Sequence, residues 1–230
     1  MTDHMTDREL LRLHLEAVWE TTIPPLEGAQ VELPFSESLP PWLVYWARLT
    51  DDEVTLWHPE VSPVLRADLL ERARRTEATY DPALGMRREV VLRLSSAPPD
   101  AQRSSLPATR HLTAEDALLL DAFEADTARY FLDPSHAPCI GVIADGRLAS
   151  VAHSSRRTSA ACELGINTLP EARRRGYALA ATIAWTHAIR EEGLTPIYSA
   201  FAHNAASLRL AAAAGYTPVA DGVYGPMSAP

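Results

Sequence analysis

The segment from Leu164 to Ala178 (Leu-Gly-Ile-Asn-Thr-Leu-Pro-Glu-Ala-Arg-Arg-Arg-Gly-Tyr-Ala) constrains this chain more than any other: a strand runs through a short glycine-containing loop into a helix amino terminus. The first N–H groups of a helix have no intrahelical partner, and the helix dipole adds partial positive charge beside them. Such an end is a site for a pyrophosphate. Gly176 permits close backbone approach, and Arg173, Arg174 and Arg175 put positive charge where phosphates would lie. Standing alone, the arginine triplet reads equally well as a solvated basic turn.

Neither of the common nucleotide-binding fingerprints is present: the chain has no GxxxxGK[ST] and no GxGxxG. The flanking sequence alternates instead. Cys139 to Ile143 and Leu148 to His153 read as two strands joined at Asp145-Gly146, a hairpin signal. A strand over 161–168, a helix over 175–191 closed by Gly193, a strand over 195–201, a helix over 204–214 closed by Gly215 and a strand near 217–224 follow. That order predicts an α/β fold with a mixed central sheet.

Pro170, Arg173, Gly176 and Ala178 match the pattern Pro-x-x-Arg/Gln-x-x-Gly-x-Gly/Ala, and downstream stand Asn204-x-x-Ser207 and Gly215-Tyr216. In kind, order and spacing these elements, over roughly 106–226, resemble the GNAT superfamily of acetyl-CoA-dependent N-acyltransferases. The resemblance implies acetyl-CoA as co-substrate, with Ile166 and Thr168 holding the pantetheine arm through their backbone groups. It places the pyrophosphate on the amides of Arg173, Arg174, Arg175, Gly176, Tyr177 and Ala178, and sets Asn204 and Ser207 against the cofactor from the next helix. Asn204 suits an ordinary helix cap equally well.

Acetyl transfer needs a deprotonated amine, support for the oxyanion and a proton for the departing thiolate. Glu163, a carboxylate in an otherwise apolar strand, is the first candidate base, since some superfamily members use an acid on this strand. His153 is the second, because an ordinary imidazole titrates near neutrality. Their structural alternatives are a solvent-facing or Arg-paired strand carboxylate and a strand histidine held in the fold. Many superfamily members carry a Tyr seven residues after the Asn as general acid, where this chain has Ala211. Tyr198, Tyr216, Tyr224 or solvent could substitute. That departure keeps open a second reading, a non-catalytic acyl-CoA-binding sensor or interaction module.

Upstream, Thr6-x-x-Glu9 is a capping box opening a helix over 7–20 that Pro24-Pro25 ends. Residues 31–41 read as proline-punctuated loop or edge structure, Ser62-Pro63 starts a helix towards Thr79, and 88–94 reads as a strand. Thr113-x-x-Asp116 caps a helix over 114–126. Ser95 to Pro107 has no periodicity and is the expected linker, dividing an accessory α+β region, 1–105, from a catalytic domain, 106–230. Trp42, Tyr45, Trp46 and Trp57 are candidates for lining an acceptor pocket and, more simply, for core packing.

The chain has 230 residues and a net charge of −9, and all 21 of its Lys+Arg residues are Arg. Residues 1–105 hold 11 Arg against 18 Asp and Glu, a balance that argues against nucleic acid as partner and mildly favours a cationic acceptor. No apolar run is long enough for a membrane span, and the charged amino terminus is unlike a signal peptide, so a cytoplasmic protein is expected. Cys139 and Cys162 stand 23 positions apart without CxxC, and the eight His show no ligand spacing, so neither a metal nor a disulfide framework is expected. The acceptor is an amine of a small molecule or peptide that the sequence does not identify.

Overall fold

The computed structural model describes residues 5–79, 81–96 and 105–227. Compactness divides the chain otherwise than a cut after residue 105. One unit comprises 1–93, 199–208 and 218–230, and the other 94–198 and 209–217, so two C-terminal segments join the amino-terminal unit. Residues 97–104 of the expected linker lie outside the described residues.

In the first unit, helix α1 (Asp7–Trp19) opens on the expected capping box: the Thr6 hydroxyl accepts from Glu9 N–H, and the Glu9 carboxylate accepts from Thr6 N–H at 2.7 Å. Three strands follow where the sequence showed only prolines and aromatics: β1 (Gln30–Glu32), β2 (Trp42–Leu49) and β3 (Glu53–Trp57). Strand β1 runs parallel to β3, and β2 pairs antiparallel with β3 on one edge and on the other with β10 (Tyr216–Met227). Residues 31–41 thus hold the end of a strand. Helix α2 (Pro63–Ala78) begins at Ser62, whose side chain makes no capping bond, and it leads to β4 (Arg87–Leu94).

Trp42, Tyr45, Trp46 and Trp57 are all buried, and Trp46 and Trp57 pack with Val44, Leu69, Ala73 and Val223 in one core cluster. The aromatic run is therefore core. Beneath it lies a buried polar knot: Glu89 accepts from the Tyr45 hydroxyl at 2.8 Å and pairs with His14 Nε2 at 3.0 Å. Tyr45 is pressed against Gly222, whose hypothetical Cβ would stand 2.2 Å from the hydroxyl. Burial, with the Glu89 charge adding to it, holds the Tyr45 hydroxyl well above the usual phenol range.

The second unit contains β5 (Arg110–His111), a 3-10 turn at Ala114–Asp116, α3 (Ala117–Phe123) and α4 (Ala128–Phe131). The single helix expected over 114–126 is thus shorter and followed by a separate turn of helix, because Thr127 N–H bonds Glu124 O and Ala128 N–H turns to the Asp121 carboxylate. Next come β6 (Ile140–Ala144), β7 (Arg147–Arg157) and β8 (Ala161–Thr168), antiparallel neighbours in that order. Asp145 and Gly146, at φ +52° and +73°, make the predicted hairpin turn. Helix α5 (Tyr177–Glu191) returns the chain to β9 (Thr195–Phe201), which starts parallel to β8, and α6 (Ala205–Ala213) precedes β10.

Two helical layers cover β7 and β8. On one face α5 packs through Trp185, whose Nε1–H donates to Ser154 Oγ at 3.3 Å. On the other, Leu120 of α3 and Ala128 and Phe131 of α4 bury Leu112, Cys139, Leu148 and Val151. Both cysteines are free and buried, and burial pushes the Cys139 thiol up to about 12.

Candidate functional site

The loop before α5 is shaped by two left-handed residues, Arg174 at φ +61° and Gly176 at φ +80°. Gly176 is the N-cap, and it is positive φ that calls for glycine there; a Cβ would meet only Pro107 and Leu106, at 3.8 and 4.0 Å. The first helical bond runs from Ala180 N–H to Gly176 O at 2.9 Å, so the amides of Tyr177, Ala178 and Leu179 have no partner within the helix. Arg173, Arg174 and Arg175 are exposed beside them. Helix end and guanidinium groups together are suited to a polyanion.

Strand β8 supplies the second half. Its parallel ladder with β9 covers only Ala161, Cys162 and Glu163, whereas its antiparallel ladder with β7 continues to Thr168. Leu169 N–H donates to Ala149 O at 3.1 Å, which makes Ser150 and Thr168 a non-hydrogen-bonded pair, and alternation makes Ala152 and Ile166 another. The N–H and C=O groups of Ile166 and Thr168 therefore point away from β7, beyond the end of the β9 ladder. A cavity of about 410 Å³ lies along this stretch, lined by Ile166, Asn167, Thr168 and Arg173 and, across it, Phe123 and Glu124. Phe123 and Glu124, at the end of α3, carry no sequence signal for this role.

Glu163 sits where the β9 ladder stops. It is 7% exposed, and the Ser155 hydroxyl donates to its Oε2 at 3.3 Å and to its backbone O at 3.2 Å. A register shift between Ser154 and Arg156 brings Ser155 to Glu163, which strand periodicity alone would not foretell.

His153 pairs with Gly165, and its ring fills the space above that glycine: a Cβ there would stand 2.3 Å from Cε1. Gly165 lies two residues from Glu163, so His153 and Glu163 share a sheet face. The imidazole is 4% exposed and edge-on to Phe131 and Tyr130, with centroids at 5.0 and 5.4 Å. Its Nε2 is 3.2 Å from the Tyr130 hydroxyl, and its Nδ1 has no hydrogen-bond partner among the described residues. Burial, aided by His136 and Arg156, lowers its pKa to about 4. At neutral pH it is an uncharged, weakly basic ring, poorly suited to serve as the second base.

The candidate acids are enclosed. Tyr198 and Tyr216 are buried and edge-on to each other at 5.4 Å, and Tyr216 shares a 2.7 Å hydrogen bond with Thr186. Burial raises the Tyr216 hydroxyl far above its ordinary value. Tyr224 is stacked on Tyr45 in the first unit, and Ala211 is fully buried. Asn204 caps α6, its Oδ1 accepting from Ser207 N–H at 3.1 Å. Among the described residues, no group of three or more His, Cys, Asp or Glu is arranged to hold a metal ion, and no helix is long and apolar enough to cross a membrane.

No curated protein sequence matches the chain. Among solved structures, a GNAT-family acetyltransferase from Colwellia psychrerythraea superposes with a TM-score of 0.52 at 14% identity, over 74% of this chain and 75% of that one. A GNAT-family protein from Novosphingobium aromaticivorans is 24% identical over 60% of this chain, with a TM-score of 0.47, and the match spans 63% of that protein's length. The first of these supports the mixed α/β fold. A family model described as GNAT acetyltransferase matches residues 123–221, from the end of α3 into β10. That matched segment, which contains the β8 fork and the α5 loop, is similar to a GNAT acetyltransferase domain.

Proposed function

We propose that this chain transfers an acetyl group from acetyl-CoA to a primary amine of a small molecule or peptide. The observation that carries the reading is the fork at Glu163, beyond which Ile166 and Thr168 turn their backbone groups away from β7 beside a cavity that reaches Arg173. Those groups would hold the pantetheine amides in the manner of an added strand. The amides at the start of α5, with Arg173, Arg174 and Arg175, would take the pyrophosphate. Asn204, whose Oδ1 caps α6, is a candidate cofactor contact by the same family pattern. Glu163, oriented by Ser155, would accept the proton of the attacking amine.

The enclosure of Tyr198, Tyr216 and Tyr224 favours protonation of the thiolate by solvent over the substitutes considered from sequence. It also supports a second reading, a domain that binds acyl-CoA without efficient turnover. Calorimetric titration with CoA and a turnover assay over a broad panel of primary amines separate the two: binding with amide formation supports the transferase, and binding without it the sensor. Absence of CoA binding would remove both.

A further inference from the structure

One exposed tyrosine on the Glu163 face is used by nothing above. Tyr130, on the short helix α4, is 43% exposed, yet its hydroxyl is 3.2 Å from the nine-tenths-buried His153 Nε2. Which atom donates follows from the other ring nitrogen. Nδ1 is buried and makes no hydrogen bond among the described residues, and an unpaired buried N–H is rarer and costlier than an unpaired lone pair. The proton of the neutral ring therefore belongs on Nε2, which donates to Tyr130 Oη. The phenolic proton is then left pointing outward, and a hydroxyl that already accepts a bond is a stronger donor.

His136 reinforces the arrangement. Its ring lies against that of Tyr130, centroids 4.0 Å apart, and its Nδ1 is 2.7 Å from Tyr130 O. A carbonyl can only accept, so Nδ1 carries a proton and Nε2 of the neutral ring a lone pair. Tyr130 is thus fixed at both ends, by the imidazole bonded to its hydroxyl and by the one bonded to its carbonyl.

We propose that the Tyr130 hydroxyl, held by His153, is a substrate-contacting donor that selects amines whose nitrogen stands two bonds from a carbonyl or carboxylate carbon, the oxygen of which accepts the hydrogen bond. The inference rests on the transferase reading and narrows its acceptor class to α-amino acyl compounds: amino acids, their amides and peptide amino termini. The amine faces Glu163, and the neighbouring oxygen faces Tyr130 on the same sheet face. His153 is a positioning residue, acting through Tyr130.

The test compares kcat/KM for alaninamide and for isobutylamine-sized alkyl amines lacking the carbonyl, in wild type, Tyr130→Phe, His153→Gln and His153→Phe. Wild type should favour alaninamide by about 10-fold, the discrimination expected of one hydrogen bond to a partly exposed hydroxyl. Tyr130→Phe should erase that preference, chiefly by raising KM for alaninamide, while CoA affinity stays as it was. His153→Gln, whose amide keeps a donor near the Nε2 position, should retain the preference, and His153→Phe should lose it. Equal use of both amines by wild type, or an undiminished preference in Tyr130→Phe with an intact fold by circular dichroism, would overturn the proposal and leave the transferase reading standing. Failure of every amine in wild type would overturn the transferase reading and this inference with it.

Discussion

The imidazole of His153 occupies the volume that a side chain on Gly165 would need, with Cε1 2.3 Å and Nε2 2.5 Å from the position of the absent Cβ. Gly165→Ala is therefore expected to force the ring off its site. The ring is not a flexible tip, because Phe131 and Tyr130 enclose it. Overpacking of this kind costs about 1–3 kcal/mol. Urea unfolding should show a lower midpoint with an unchanged slope, and a midpoint equal to wild type would mean that the ring has room to move.

Burial of neutral His153 also makes stability depend on pH. Above about 6.5 the ring is neutral in both folded and unfolded chains and contributes no pH dependence. As pH falls below 6.5 the unfolded chain takes up a proton that the folded chain refuses until about 4, so stability is lost across that window, at most about 3 kcal/mol. Carboxylates titrate at the lower end of the same range, so the measurement is a difference: unfolding free energy at pH 7 and pH 5 for wild type and His153→Gln. The variant should lose less on acidification, and parallel losses would count against a depressed His153.

Gly176→Asp should weaken CoA binding by a factor of ten or more. It sets a negative charge at the proposed pyrophosphate position and a side chain on a residue at φ +80°. In wild type, CoA should raise the melting temperature progressively with concentration, because it binds only the folded state, while NAD and ATP do much less. Unaltered CoA affinity in Gly176→Asp would move the pyrophosphate site elsewhere.

Glu163→Gln keeps the size of the side chain and removes its basicity. With a working acceptor, turnover at neutral pH should fall on the order of 10²- to 10⁴-fold while CoA affinity is retained, and higher pH should restore part of the loss by supplying deprotonated amine. Loss of CoA binding would instead mark Glu163 as support for the strand, a role its bond from Ser155 would also serve.

In the first unit, Glu89→Ala removes the acceptor of the Tyr45 hydroxyl and the partner of His14 Nε2, leaving polar groups stranded in a core where Tyr45 is closed in by Gly222. A cost of about 3–5 kcal/mol is expected, readable by denaturant unfolding. Glu89 belongs to the first unit and the α5 loop to the second, so CoA affinity of the folded fraction should be unchanged.

What could be read from the sequence was local. The capping box at Thr6 and Glu9, the Asp145-Gly146 turn, the span of β8 and the glycine at the start of α5 are each decided by residues within a turn of one another, where backbone conformation and short-range hydrogen bonding act. Strand β1 pairs with a strand well downstream and β2 with one at the far end of the chain, while β2 and β3, though joined in a local hairpin, are buried along nearly their whole length and so show no period of two. The candidate site divides the same way. Glu163, Ile166, Thr168 and the Arg173 to Ala178 loop form one continuous segment. Tyr130 is brought to His153 across 23 residues, Ser155 reaches Glu163 through a strand irregularity, and burial rather than residue type makes His153 a neutral donor. Periodicity and motif carry the backbone's own preferences, whereas protonation, tautomer and side-chain partnership depend on what the fold places within a few ångströms, and that is settled only by packing.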